Sequence, residues 1–205
     1  MKHILLLFTL SILMSLPEPE QIGICTNATG EVYRSGKIRS GKIRKGESIY
    51  NGDKISTDRN AFFSLLNIQD KSVISLFGNS VIKIFGSAEK DSIKTEINIF
   101  GGRVSADLRK TRNREFVVNT PSSVAVVKGT TFLAGHRTMN DHGPHYQGVS
   151  DCIFSVLTGK LEVQNTKSGK TIKVEEGKTV ISTLNGEFLI FETTDEFTQY
   201  FKEPK

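Results

Sequence analysis

A chain of 205 residues, 37 % of them hydrophobic, holds one domain or two small ones around a modest core. Its net charge of +5 allows a weak preference for anionic surfaces but does not argue for nucleic-acid binding. Thirteen Phe and no Trp favour an aromatic core, and runs of Val, Ile, Phe and Thr broken by 18 Gly point to an all-β protein.

The N-terminus reads as a targeting segment. Lys2 precedes a 13-residue apolar run, Ile4–Leu16, shorter than the roughly 20 residues of a membrane span. Pro17 and Pro19 then stop any helix. Residues 1–20 are read as an export signal peptide, with Ser15 the best small residue for cleavage. An uncleaved anchor that keeps the protein at the membrane is the competing reading. The mature chain is therefore expected in the periplasm or cell envelope. Both cysteines lie in it, Cys25 and Cys152. One disulfide between them and two buried thiols both fit. Pro17-Glu18-Pro19-Glu20 separates the apolar run from Cys25 and speaks against lipidation.

Ile22–Ile24 and Val32–Tyr33 read as the first strands. A direct duplication follows, SGKIR at Ser35–Arg39 and again at Ser40–Arg44. Ile38 and Ile43 are an odd number of residues apart, so a turn at Gly36 or Gly41 must separate them. Arg34, Lys37, Arg39, Lys42, Arg44 and Lys45 make this the most basic stretch. Its functional reading is a patch for anionic polymers. Its structural reading is a solvated hairpin that protects a sheet edge with charge, and charge runs favour the latter.

Asn51-Gly52-Asp53 is a turn between strand residues Tyr50 and Ile55. Ala61–Ile68, Ser72–Phe77 and Ser80–Phe85 are strands. Ile93–Phe100 and Val104–Leu108 form a pair around Gly101-Gly102. Leu76-Phe77-Gly78, Ile84-Phe85-Gly86 and Ile99-Phe100-Gly101 suggest a recurring layer with a Gly exit, a cue for repetitive β architecture. A plain antiparallel meander explains them equally.

Glu115–Gly135 is the centre of the chain. Phe116–Val118, Val124–Val127 and Phe132-Leu133 are short strands, separated by Asn119-Thr120-Pro121 and by Lys128-Gly129-Thr130. No ligand role is expected here, and Gly129→Val is expected to unfold the protein. The loop Gly135–Gly148 carries His136, His142 and His145 with Asp141. These are weak metal candidates, because their spacing matches no metal motif. Asp151–Leu157, Lys160–Asn165, Thr171–Val174, Thr179–Ser182 and Phe188–Phe191 are further strands. Thr194–Phe201 forms a short helix, N-capped by Thr194, with Phe197 and Phe201 on one face docking onto the sheet.

In this order the pieces resemble the FecR domain family of bacterial envelope proteins. The resemblance rests on Gly46…Gly52-Asp53-x-Ile55-x-Thr57, Asp70-x-Ser72 with Leu76, and Gly101-Gly102-Arg103-Val104. It rests further on Phe116-x-Val118-x-Thr120-Pro121 with Gly129-Thr130-x-Phe132, and on Val156-x-x-Gly159-x-Leu161-x-Val163 with Glu176-Gly177. Lys71 stands where the family has Gly, and the histidine loop is longer. The resemblance implies a periplasmic all-β module at 22–183, with 184–205 a C-terminal hairpin strand and short helix. It assigns Gly52, Asp53, Thr120, Pro121, Gly129, Thr130 and Phe132 to structure. The expected architecture is many short antiparallel strands in a sandwich or roll, with solenoid-like stacking as a variant.

The family's best-known setting is a transmembrane regulator of a sigma factor that senses an outer-membrane transporter. With no segment ahead of the apolar run, a free-standing exported module is expected instead. It would bind an envelope protein or an anionic envelope polymer. The alternative is a component of a signalling relay that acts through a separate membrane protein. No catalytic set, cofactor, nucleic acid or defined oligomer is expected. The only enzyme reading with residues, a metal hydrolase on the histidine loop, rests on His136, Asp141, His142 and His145.

Overall fold

The structure, a computed structural model, describes residues 20–89, 92–110, 114–136, 151–199 and 201. The expectations for the signal segment, Asp141, His142 and His145 lie outside these residues. The strands in chain order are β1 (Gln21–Thr29), β2 (Val32–Ser35), β3 (Ser40–Lys42), β4 (Ser48–Tyr50), β5 (Lys54–Thr57) and β6 (Phe62–Asn67). Then follow β7 (Val73–Leu76), β8 (Val81–Glu89), β9 (Ser92–Asp107), β10 (Arg114–Asn119), β11 (Ser123–Val127) and β12 (Thr131–His136). The chain closes with β13 (Cys152–Thr158), β14 (Lys160–Asn165), β15 (Thr171–Glu175), β16 (Lys178–Ser182), β17 (Phe188–Glu192) and the helix α1 (Asp195–Gln199).

The pairings resolve into two layers that share β9. One runs β4-β1-β6-β7-β9-β12-β13-β16-β17. The other runs β3-β2-β5-β8-β9-β10-β11-β14-β15. The all-β fold expected from the alternating runs is what forms. Each strand turns one row of side chains inward: Ile82 and Ile84 on β8, Val104 and Ala106 on β9, Ala125 and Val127 on β11, Leu161 and Val163 on β14. All are buried in one core between the layers. From β10 onward the chain deposits hairpins alternately in the two layers, which gives a repetitive stack without a coiled solenoid.

Three local expectations change. Gly101-Gly102 does not end a strand: β9 continues through it, pairing with β8 as far as Gly101 and with β12 from Gly102. The bend of one strand across both layers comes from these two residues, with Gly102 at φ +88°. The sheet is also not wholly antiparallel, since β9 and β10 pair in parallel over Ile93–Asn98 and Arg114–Asn119. The three Phe-Gly triplets are not equivalent layers. Phe77 is buried, Gly86 lies inside β8, and Phe100 is 53 % exposed.

The C-terminal helix behaves as its spacing dictates. The Phe197 N–H donates to Thr194 Oγ1 at 3.2 Å, the expected cap. Phe197 and Phe201 bury against Phe62, Phe77, Leu133, Ile153 and Ile181 on the outer face of the first layer. A ring contact of 6.1 Å joins Phe77 and Phe201.

Two hairpin turns share one construction. Asn67 Oδ1 accepts from the Gln69 N–H at 2.8 Å, and Asn165 Oδ1 accepts from Lys167 and Ser168 at 3.0 Å each. Four residues on, each turn needs a left-handed residue: Gly169 has φ +69°, and Lys71 has φ +60°. Lys71 therefore carries a strain of about 1–2 kcal/mol that glycine avoids. Glycine's own entropy takes back about 0.5–1 kcal/mol. Lys71→Gly is expected to gain roughly 0.5–1 kcal/mol, read as a higher urea midpoint at unchanged m-value.

Candidate functional site

The basic stretch loses one member to the core. Arg34 points inward and is 3 % exposed. Its Nη1 donates to the Ser48 carbonyl at 2.6 Å, and its Nη2 donates to Glu47 Oε2 at 2.9 Å. Asp53 Oδ2 lies 3.8 Å from Nη1. Arg34 thus leaves the list of ligand-binding candidates, because its alternation on β2 places it on the core face opposite exposed Tyr33. Lys42 pairs with Glu31 at 2.5 Å, and Arg39 lies 3.7 Å from Glu47. Lys37, Arg44 and Lys45 are exposed and have no carboxylate partner among the described residues. They border β3, a layer edge that pairs only with β2. This is the edge protection that charge on a free strand provides. The turn falls between Gly36 and Arg39, leaving Ile38 44 % exposed and Ile43 buried.

The motif residues occupy structural positions. Gly52 has φ +85°. Buried Asp53 accepts the Tyr50 N–H at 2.9 Å. Burial pushes its carboxyl above the usual range, against the opposing pull of that N–H and of Arg34. Thr120 Oγ1 accepts the Ser123 N–H at 3.1 Å and closes the turn at exposed Pro121. Thr130 Oγ1 donates to the Lys160 carbonyl at 2.7 Å, tying β14 to the end of β11. Phe132 is wholly buried and meets Phe116 edge-on at 6.1 Å. Ser122 and Ser123 are buried, and Ser122 Oγ donates to the Ser182 carbonyl at 2.9 Å. That geometry holds two hairpins together and presents no exposed nucleophile.

The cysteines are not bridged. Both are reduced thiols and buried, in β1 and β13 of one layer. Five strand spacings separate them, about 24 Å, against a Cα limit of roughly 7 Å. Burial pushes the Cys25 thiol up to about 11, and burial also raises Cys152. Neither thiol is expected to react with iodoacetamide at pH 8 in the folded protein. Both should alkylate in denaturant without reductant, and a single or absent adduct by mass spectrometry would contradict this. His136 lies at the end of β12, 6 % exposed, its Nδ1 3.6 Å from Cys152 Sγ. Burial lowers its pKa, against the pull of Asp151. No group of three or more His, Cys, Asp or Glu suited to a metal occurs among the described residues.

Two surfaces escape sequence reading. The first is β17, a layer edge whose one pairing among the described residues is with β16. Leu189 and Ile190 are 51 % and 57 % exposed, with Leu184 nearby at 44 %. Their signal was an apolar run, Phe188–Phe191, without the polar alternation of a half-buried strand. The second is the outer face of the layer that α1 does not cover. A β-bulge between Val81 and Ile82 leaves Phe100 unpaired and turned to solvent there.

Comparison with known proteins places this geometry. Residues 53–146 match the family model described as FecR protein. That segment runs from the start of β5 past the end of β12 and includes the crossover strand β9. No curated protein matches the chain significantly. Two crystal structures of a candidate anti-sigma factor from Parabacteroides distasonis share the fold, at 1.65 Å and 2.50 Å resolution. Their TM-scores are 0.56 and 0.55, with 18 % and 19 % identity. In both cases 71 % of this chain is covered, and the chain spans 62 % of the other protein's length.

Proposed function

Since residues 53–146 match the FecR family model, we propose that the chain is an exported, non-enzymatic binding module of the bacterial envelope that takes a protein partner along the free edge of β17. The carrying observation is how that edge differs from the other three. β3 ends in Lys42 and is flanked by Arg39 and Arg44, β15 carries Lys173 and Glu175, and β4 has only three residues. β17 has five residues and an uncharged apolar centre. The Thr193 N–H donates to Gly177, and the Glu187 carbonyl accepts from Thr183. Alternation then leaves the N–H and C=O groups of Phe188, Ile190 and Glu192 facing outward. An extended segment with an apolar centre and a basic residue facing Glu187 fits this edge by strand addition, since Glu192 is already paired with Lys178.

Likeness in fold to candidate anti-sigma factors favours a second, compatible reading. The bound partner would belong to a signalling relay, and a separate membrane protein would carry the signal inward.

Capture from envelope extract tests the first reading. The wild-type chain is expected to retain one protein regardless of salt. Ile190→Pro removes only an outward N–H, so it should keep the fold and lose that protein. Equal capture by both chains would refute the edge as the site. Fractionation of cells expressing the full chain tests export.

A further inference from the structure

We propose that the outer face of the second layer, left open by the described residues, binds a strand of anionic polysaccharide, laid across the strands from Lys54 and Lys83 through Asn98 and Asn119 to Gln164. This surface is independent of β17. The registers join these residues into one row perpendicular to the chain direction. Lys54 stands opposite Lys83, Lys83 opposite Asn98, and Asn98 beside Asn119. Asn119 stands opposite Val124, which stands opposite Gln164. None of these residues is buried, and none is a carboxylate.

Three observations point to an anionic ligand with sugar-like chemistry. First, Lys54 and Lys83 are directly opposed like charges, an arrangement that destabilises a sheet. Neither has a carboxylate partner among the described residues. A bound anion between them would offset that repulsion. Second, each ammonium lies over an aromatic ring, Lys54 at 5.6 Å from the Phe100 centroid and Lys83 at 5.0 Å from the Phe85 centroid. The bulge that turns Phe100 outward gives the row an apolar wall suited to the C–H face of a pyranose. Third, Asn119 Nδ2 donates to Asn98 Oδ1 and to Glu96 Oε1 at 2.8 Å each. This clamp orients both amides and leaves Asn98 Nδ2 and Asn119 Oδ1 open to hydroxyl groups. The two amides, Phe100 and Pro121 line a groove of about 410 Å³, within the size range of ligand clefts. A sheet face offers no free backbone N–H or C=O to an extended peptide. That favours a polysaccharide, read by side chains, over an acidic polypeptide.

Calorimetric titration of the full chain at about 50 mM salt tests the proposal, with oligogalacturonate, poly-L-glutamate of matched charge, and neutral dextran as probes. Oligogalacturonate is expected to bind, and the other two to bind at least tenfold more weakly or not at all. Lys54→Gln/Lys83→Gln should weaken oligogalacturonate about tenfold, the effect of two exposed charge contacts. It should also melt no lower than wild type, because a repulsion is removed. Phe100→Ser and Asn98→Ala should each weaken it as well, and Lys37→Gln/Lys45→Gln at the edge hairpin should not. Absence of oligogalacturonate binding, equal binding of poly-L-glutamate, or unchanged affinity in Lys54→Gln/Lys83→Gln would each overturn the proposal.

Discussion

Valine in place of Gly102 is expected to leave no folded protein, and valine at Gly129 to leave a folded but clearly destabilised one. Gly102 is the point where β9 passes from one layer to the other. Its φ is +88°, and a Cβ there would stand 2.4 Å from Ser80 Cα and 2.6 Å from the Asn79 carbonyl oxygen. Both are backbone atoms, and Ser80 cannot retreat. Its Oγ accepts the Arg103 N–H at 2.8 Å, and its own N–H donates to Thr57 Oγ1 at 3.0 Å. The left-handed conformation costs about 1–2 kcal/mol, and overpacking against fixed backbone adds about 3 kcal/mol or more. The total is on the order of a small domain's whole stability. At Gly129, φ is +59° and the added carbon would lie 2.8 Å from Lys110 Cα, a milder overlap, for which a loss of about 3 kcal/mol is expected. Gly177 separates the two causes. It has φ +77° with nothing within 4 Å, so Gly177→Val should show the conformational cost alone, about 1–2 kcal/mol. Soluble yield and urea melts of the three variants decide this. If Gly102→Val melted like Gly177→Val, the crossover would not be the rigid joint described.

Arg34→Met is expected to cost about 3–5 kcal/mol at pH 7, because it strands a buried carboxylate. Asp53 is 1 % exposed. It keeps only the Tyr50 N–H once the guanidinium is gone, and Gly36 packs so closely that a Cβ there would meet Asp53 Oδ1 at 1.8 Å. The pH dependence follows from the direction of the shift. Burial already holds the Asp53 carboxyl above its ordinary value, and removing a cation raises it further. The folded variant then binds a proton more tightly than the unfolded chain. Its deficit is fully present above the folded pKa and shrinks as pH falls through that pKa toward the ordinary aspartate value. Urea unfolding at pH 7 and pH 5 should therefore show a smaller gap from wild type at pH 5. Asp53→Leu added to Arg34→Met should recover most of the loss, since removing both partners leaves no stranded charge. A double variant no more stable than the single one would contradict the pairing.

Strand positions, most turns and the docked helix were legible because each rests on local rules. Period-two alternation marked β11 and β14, Asn185-Gly186 and Thr158-Gly159 marked hairpins, and Phe197 with Phe201 marked one apolar helix face for the sheet to cover. The resemblance read from Gly52-Asp53, Thr120-Pro121 and Gly129-Thr130 agrees with the family match, because backbone geometry ties those residue types to those positions.

What failed was whatever depended on a distant partner. Arg34 looked like a member of a surface run, yet the face a strand turns inward is settled by which layer it joins. The spacing of Cys25 and Cys152 allowed a bridge that four intervening strands forbid. Gly101-Gly102 looked like a turn, because a bend and a reversal need the same backbone freedom, and only the pairing of β9 with both layers tells them apart. The sequence by itself determined an all-β chain, its hairpins and its capped aromatic helix, since alternation, positive-φ turns and helix caps act within a few residues. Tertiary structure alone decided the two layers joined through Gly102, the buried Arg34–Asp53 pair and the exposed edge of β17. Each of these depends on contacts between residues remote in the chain, which no local pattern encodes.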